Sequence, residues 1–248
     1  MLSVTIVIPM QNEAENVVPL IDEIAAAMAG RPDWEIIAVN DGSTDGTGEA
    51  LRAAAARVPS LRILRHAQSA GQSAAIHAGV RAARAPSVAT LDGDGQNPPA
   101  DLPRLLDALA AGGERLGLVA GQRAVRRDSV AKQRASRVAN SIRARMLGDG
   151  VRDTGCGLKA FRRDAFLALP YFDHMHRFLP ALFVRDGWEV QLVDVGDRPR
   201  RAGVSKYTNL QRALVGVTDI FGVLWLIRRR RRCEAVEEVA VRPAEAAE

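Results

Sequence analysis

Short apolar, β-branched runs alternate with helix-patterned segments through the first half of this chain, and that alternation narrows its possible folds more than any other feature. Ser3 to Ile8, ended by Pro9, reads as a strand buried on both faces, and a helix over Glu15 to Met28 places Val17, Ile21, Ile24 and Met28 on one side. The cycle recurs with strands over Glu35 to Asn40, Leu61 to Arg65, Ser87 to Leu91 and Leu116 to Gly121, separated by an Ala-rich helix through Arg57 and helices over Ser73 to Ala83 and Asp101 to Leu109. The pattern predicts an α/β fold with a mainly parallel sheet flanked by helices. At 248 residues and 47% apolar content the chain can fill one substantial core. Beyond Gly121 come a basic loop, a helix over Lys132 to Leu147, a Gly-rich turn from Asp153 into the basic segment ending at Arg163, and a last strand over Trp188 to Val195.

In parallel sheets ligands bind beyond the carboxyl ends of the strands, and here those ends carry the polar loops Pro9 to Glu13, Asn40-Asp41-Gly42, His66 to Gly71 and Asp92-Gly93-Asp94. Asp92 and Asp94 face the same way if the strand continues through Gly93, with Gln96 one step further at the same parity. Two carboxylates and an amide oxygen suit Mg²⁺ or Mn²⁺ together with phosphate oxygens, whereas a solvated turn is the plain structural reading of the same residues. No Gly-x-Gly-x-x-Gly follows the first strand and no Gly-x-x-x-x-Gly-Lys-[Ser/Thr] occurs, so a bound diphosphate has to be neutralised by metal and cations.

The formal net charge is +5, and Arg115 to Arg145 holds nine basic residues against the single acidic Asp128. Such a patch suits a phosphate-bearing partner or a solvated helix face, and its near lack of aromatics argues against nucleic acid. Two cysteines, Cys156 and Cys233, make no disulfide framework, and the start at Met1 shows no charged-then-apolar leader, which points away from secretion. Leu214 to Ile227 is nearly all apolar and runs into Arg228 to Arg232. A span needs about 20 apolar residues, so the segment is predicted to lie in a membrane interface or in the core, with the arginines on anionic lipid headgroups. The expected organisation is a catalytic domain over 1–213, an interfacial helix and arginine run over 214–232, and a disordered tail over 233–248.

Five motifs in order resemble those of the family 2 glycosyltransferases of the GT-A fold, in particular the dolichyl-phosphate mannose synthase and bacterial polyprenyl-phosphate glycosyltransferase group. They are Ile8-Pro9-Met10-Gln11-Asn12-Glu13, the stretch Val39 to Thr47, Asp92-Gly93-Asp94-Gly95-Gln96, the stretch Asp153 to Lys159, and the stretch Arg200 to Tyr207. The resemblance implies that Pro9, Glu13 and Asp41 line the nucleotide, with Asp41 accepting a hydrogen bond from the base, and that Asp92, Asp94 and Gln96 hold the metal. It implies that Arg123, Lys132, Ser136 and Arg200 contact the lipid phosphate and the diphosphate, assisted by Lys206. Gly71, opening the Gly71-Gln72-Ser73 helix start, could face the diphosphate through its backbone. Lys132 stands where relatives carry Arg, and Cys156-Gly157 replaces a more familiar Ser-Gly-Phe sequence.

The expected reaction is inverting transfer of a sugar from a nucleoside diphosphate, GDP-mannose or a UDP-sugar, to a polyprenyl phosphate on the cytoplasmic face of the cell membrane. A phosphate nucleophile is already anionic and needs alignment more than a general base. Asp153 reads as a base, as an orienter of acceptor-side cations, or as a turn residue. Transfer to a saccharide or protein hydroxyl, and a non-catalytic nucleotide- or RNA-binding module, are the other two classes open to such a chain. Of the histidines, His66, His77 and His174 read as structural, and His176-Arg177 resembles the stretch that closes over the donor. Trp34, Trp188 and Trp225 read as core or interface anchors.

Overall fold

The computed structural model describes residues 2–123, 143–151, 153, 155–199 and 209–231, the side chains of 209–215 excepted. Its seven strands are β1 (Val4–Met10), β2 (Trp34–Asp41), β3 (Leu61–His66), β4 (Ser87–Thr90), β5 (Leu116–Arg123), β6 (Lys159–Arg162) and β7 (Glu189–Val195). They form one sheet in the order β3-β2-β1-β4-β6-β5-β7. Strands β3, β2, β1 and β4 run parallel, β6 is antiparallel to both β4 and β5, and β7 is parallel to β5.

Alternation along the buried strands sends successive side chains to two apolar layers. On one face Ile6, Ile8, Ile36 and Ala38 meet α1 (Ala14–Met28), α2 (Thr47–Arg57) and α4 (Leu102–Ala111). On the other, Val7, Ile37, Val39 and Phe161 meet α3 (Gln72–Ala82), α5 (Arg163–Leu167) and α6 (Leu179–Arg185). The helix α7 (Asn209–Arg229) adds Val223 to this second layer.

Two expectations change, and a third is described only in part. The strand predicted over Ser87 to Leu91 ends at Thr90, so Asp92 and Asp94 sit on a turn and not on a strand continued through Gly93. A Cβ on Gly93 would lie 2.8 Å from the Pro9 carbonyl oxygen, so glycine is needed where the chain passes this close to β1. The segment from Lys159 to Arg162, read as part of a basic turn, is a strand inserted antiparallel between β4 and β5. Of the helix expected over Lys132 to Leu147, residues 143–147 are helical and the rest lie outside the described residues.

Helix α7 begins at Asn209 and crosses the boundary placed at 213/214. Within it Val223 is buried in the core, whereas Val217, Phe221 and Trp225 are exposed.

A buried carboxylate fastens the amino-terminal ends of the strands. Glu35 Oε1 accepts from Thr5 Oγ1 at 2.8 Å and from the Arg84 backbone N–H at 3.0 Å, and Oε2 accepts from Arg62 Nη1 at 2.7 Å. Burial opposes its charge, but the bonds from Arg62, Arg84 and Thr5 outweigh it and hold the carboxyl below its usual 4.5. Stability from the ionised Glu35 is therefore full above that value and is lost as pH falls through the lower folded-state pKa. Glu35→Gln is expected to cost about 1–3 kcal/mol at pH 7. Urea unfolding at pH 7 and at pH 3 should show the gap to the wild type narrowing in acid; a gap unchanged with pH would mean the charge contributes nothing.

Candidate active site

The parallel registers bring β1, β2 and β4 to a common edge, and their loops meet the first turn of α3 there. Gly71 precedes that turn at φ 89°, a conformation that favours glycine. Gln72 Nε2 donates to Asp92 Oδ1 at 2.7 Å, and Ser73 Oγ pairs with His176 Nδ1 at 2.7 Å while accepting from the His176 backbone N–H at 3.2 Å.

Asp92 is closely confined. Any Cβ at Gly157 would overlap its carboxylate, and the Gly157 carbonyl is held by Thr90 Oγ1 at 2.8 Å. Burial first, then the charge of Asp94, push Asp92 up to about 6, against the opposing pull of Lys159, Arg123 and Gln72. Asp94 is buried and takes the Gln96 backbone N–H at 3.1 Å. Two neighbouring carboxylates are oxygen donors suited to a hard divalent cation, and Gly157 leaves room for that of Asp92.

Arg198 braces this turn. Its backbone N–H donates to the Gln96 carbonyl at 3.1 Å, its Nε donates to the Gly95 carbonyl, and its Nη2 pairs with Glu23 of α1 at 2.7 Å.

Asp41, at the end of β2, is fully engaged. Oδ1 accepts from the Ala70 N–H at 2.9 Å and from His66 Nδ1 at 2.6 Å; Oδ2 accepts from Ser69 Oγ at 2.8 Å and the Gly71 N–H at 2.9 Å. Burial works against its charge, but these four bonds prevail and keep it below the usual 3.8. A base could bond this carboxylate only by displacing one of them.

Arg123, at the end of β5, forks onto Asp153, Nε to Oδ2 at 2.6 Å and Nη2 to Oδ1 at 3.1 Å, with Asp197 3.9 Å from Nη1. Burial disfavours the guanidinium charge, yet Asp153 outweighs it and raises the pKa. Asp153 also accepts the Gly155 N–H at 3.1 Å. Lys159, buried on β6, donates to the Cys156 carbonyl; burial lowers its pKa against the pull of Cys156 and Asp92. His176 is driven well below 6.5 by burial and by the nearby positive Lys159 and Arg177, so its ring is neutral at physiological pH.

Residues 5–169 match the model of glycosyl transferase family 2. The chain belongs to that family. It is 35% identical over 236 residues to the dodecaprenyl-phosphate galacturonate synthase of Rhizobium johnstonii, covering 93% of this chain and 69% of that protein. It is 38% identical over 213 residues to the undecaprenyl-phosphate 4-deoxy-4-formamido-L-arabinose transferase of Pectobacterium carotovorum, covering 84% of this chain and 64% of that one. The chain therefore spans about two thirds of the length of these relatives. Among solved structures, glucosyl-3-phosphoglycerate synthase of Mycobacterium tuberculosis in complex with Mn²⁺, UDP and phosphoglyceric acid superposes with a TM-score of 0.68 at 20% identity, over 93% of this chain and 80% of that one. The same enzyme with Mg²⁺ and UDP gives 0.67. At that identity the likeness establishes the GT-A fold.

In this family 2 glycosyltransferase the expected residues Pro9 and Asp41 lie at the carboxyl ends of β1 and β2, and Glu13, Gly71, Asp92, Asp94 and Gln96 lie in the loops along the same edge of the sheet. Glu13 is turned to Asn16 Nδ2, which it accepts at 2.6 Å. Arg123 and Asp153 are one ion pair, as the reading of Asp153 as an orienter of cations has it; a free carboxylate base at Asp153 does not fit that pairing. Lys132, Ser136, Arg200 and Lys206 lie outside the described residues. The basic patch is also less free than its count suggests, because Arg115 pairs with Glu189 and Arg143 with buried Asp149 at 2.6 Å.

Sequence reasoning assigned no site role to Lys159, Gly157, Arg198 or His66. Lys159 and Gly157 stand inside a recognised motif, and that was the only signal for them.

The confinement of Asp92 generates a test. Gly157→Ala should displace the carboxylate and weaken Mn²⁺ binding by about tenfold or more, the cost of one misplaced charged ligand. Titration of Mn²⁺ by electron paramagnetic resonance measures this, and wild-type affinity in a folded Gly157→Ala protein would show that Asp92 is not a ligand.

Proposed function

We propose that the chain catalyses inverting transfer of a sugar from a nucleoside diphosphate to a polyprenyl phosphate. The observation that carries this reading is the pairing of a two-carboxylate turn with an acceptor side whose carboxylate, Asp153, is committed to Arg123. Asp153, engaged by Arg123, is not placed as a free base, which suits a nucleophile that is already charged. Both relatives named above are polyprenyl-phosphate sugar transferases, and they support the same class of acceptor.

Asp92, Asp94 and Gln96 would hold Mg²⁺ or Mn²⁺; bound there, the cation offsets charge on the departing diphosphate. Gln72 and Gly157 fix Asp92 in place. Arg123, planar and already held by Asp153, waits for an oxygen of the acceptor phosphate with its orientation settled. That oxygen attacks the anomeric carbon as the bond to the diphosphate oxygen breaks, and a single displacement inverts the centre. The positive charges of Lys159 and Arg123 lie where negative charge gathers. By resemblance, Lys132, Ser136, Arg200 and Lys206 complete the phosphate contacts.

A panel of GDP- and UDP-sugars with undecaprenyl phosphate and Mn²⁺, read by the mass of the lipid product, tests the reaction. Product should form with at least one donor, vanish in EDTA and return on adding Mn²⁺ or Mg²⁺. Turnover undiminished in EDTA, or transfer only to hydroxyl acceptors, would overturn the reading.

The membrane surface is the second part of the proposal. No helix among the described residues is long and apolar enough to cross a membrane. Val217, Phe221 and Trp225 recur every fourth residue on α7, are 55%, 63% and 59% exposed, and share their face with the exposed Arg228 and Arg229. An apolar stripe ending in arginines suits the interface of an anionic bilayer and supports a peripheral enzyme on the cytoplasmic face. Arg230 is different: it donates to the Arg185 carbonyl at 2.5 Å and pairs with Asp186 at 3.2 Å, so it anchors the helix to α6. The double variant Phe221→Ser/Trp225→Ser should lose about tenfold or more in partition onto phosphatidylglycerol vesicles, since each buried aromatic contributes roughly 1.5–3 kcal/mol. Sedimentation with vesicles measures it, and equal pelleting of the variant and the wild type would remove α7 from the membrane contact.

A further inference from the structure

The turn that carries Asp94 and Gln96 takes its support from outside the strand it follows. Strand β4 ends at Thr90, so this turn lies beyond the sheet ladder. The segment after β7 reaches across to it, with ties at every second residue. The Asp194 carbonyl accepts from Arg104 Nη2, the Gly196 N–H donates to Asp101 Oδ2 at 2.8 Å, and the Arg198 N–H donates to the Gln96 carbonyl at 3.1 Å. Asp197, between the last two, instead approaches Arg123, Oδ1 to Nη1 at 3.9 Å.

Arg198 adds its side chain to the last of these ties. Its Nε donates to the Gly95 carbonyl, so one residue engages two adjacent carbonyls of the turn, and its Nη2 pairs with Glu23 Oε2 at 2.7 Å. Gly95, at φ 71°, lies against this guanidinium: a Cβ there would be 3.7 Å from Nη2. Glu23 stands on α1 among Ile21 and Ile24, both fully buried, so the helix that offers the carboxylate is itself fixed in the core. With both carbonyls held, the peptide units of Gly95 and Gln96 have little freedom, and they govern where the side chains of Asp94 and Gln96 point. Resting on the metal reading above, we propose that Arg198 is a positioning residue for Asp94 and Gln96, with Glu23 as its anchor. The planar guanidinium suits this task, since Nε and Nη2 serve a carbonyl and a carboxylate at once; a lysine has no such fork. Groups that orient metal ligands in this way tune affinity without touching the cation.

The experiment is titration of the full chain with Mn²⁺ by electron paramagnetic resonance, with a melting curve for each variant. Arg198→Met removes the side-chain ties and keeps the backbone one; it should weaken Mn²⁺ binding by about tenfold or more, the usual effect of losing a group that orients a ligand. Loss of a positive charge by itself would tighten binding of a cation, so the sign separates positioning from electrostatics. Arg198→Lys, which can return the Glu23 pair without the fork, should fall between Arg198→Met and the wild type. Glu23→Gln should weaken Mn²⁺ by about threefold. Because Glu23 acts through Arg198, adding Glu23→Gln to Arg198→Met should cost nothing further, whereas a direct attraction of Glu23 for the cation would persist in the double variant. A merely structural pair would lower the melting temperature and leave Mn²⁺ affinity unchanged. Wild-type affinity in folded Arg198→Met overturns the inference and leaves the metal reading intact; should that variant fail to fold, wild-type affinity in both Arg198→Lys and Glu23→Gln does the same. Additive losses in the double variant overturn the anchoring by Glu23. A wild type that binds no Mn²⁺ overturns the metal reading and the inference with it.

Discussion

The first turn of α3 is the point to which the rest of the site is tied. Its preceding N–H groups, from Ala70 and Gly71, are gathered by Asp41; Gln72 holds Asp92; Ser73 holds His176. A carboxylate at a helix amino terminus is favoured by the exposed N–H groups and the helix dipole, so Asp41 both positions the turn and is stabilised by it. The turn can serve three loops because α3 is pressed against the sheet. Ala75, Ile76 and Val80 are buried with Val7 and Val39, and a Cβ on Gly79 would already crowd Val39 at 3.3 Å. Core packing two turns down the helix thus sets the position of the groups that meet the ligand.

The parallel half of the sheet was legible because its strands are runs of Val, Ile and Ala buried on both faces, a signal that survives without any partner in view. Strand β6 was not. Its four residues begin with Lys159 and end with Arg162, and it exists because β4 and β5 leave a gap that an antiparallel segment can fill. The Asp92–Asp94 turn was legible as residues but not as geometry. Strict alternation would have carried the strand through Gly93, whereas the strand ends at Thr90 and Gly93 passes close to the Pro9 carbonyl. The family motifs located the loops, whereas the hydrogen bonds that saturate Asp41 depend on residues 25 to 30 positions away and carry no local signature.

Charge tells the same lesson in another form. Counted along the sequence, the residues from Arg115 to Arg145 look like a free cationic patch, yet Arg115, Arg123 and Arg143 each have a carboxylate partner. Asp153 lies 30 residues from Arg123, and Asp149 stands beyond the end of the basic stretch. Pairing does not remove these groups from function. A guanidinium already held in plane by a carboxylate meets a phosphate without first ordering a long side chain, which lowers the entropic cost of that contact. The Arg143–Asp149 pair, completed by the Val151 carbonyl at 2.7 Å from Arg143 Nη2, steadies the return of the chain toward Asp153.

A lipid-linked acceptor sets a geometric problem: its phosphate must reach the metal turn while its tail stays in the bilayer, so the surface that touches lipid has to be joined firmly to the site. Helix α7 is joined in two ways. Arg185 Nε donates to the Leu226 carbonyl at 3.0 Å and Arg230 returns to Arg185 and Asp186, which clamps the carboxyl-terminal half of α7 to α6. Nearer its middle, Asp219 lies 3.4 Å from His174, two residues before the His176 that rests on Ser73. Burial raises the Asp219 pKa, a cost that an otherwise apolar helix would avoid unless the contact to His174 mattered. From the exposed stripe of α7 to the first turn of α3 the path therefore runs through packed and hydrogen-bonded groups, so on the membrane contact proposed above the fold itself would set the distance from lipid to site.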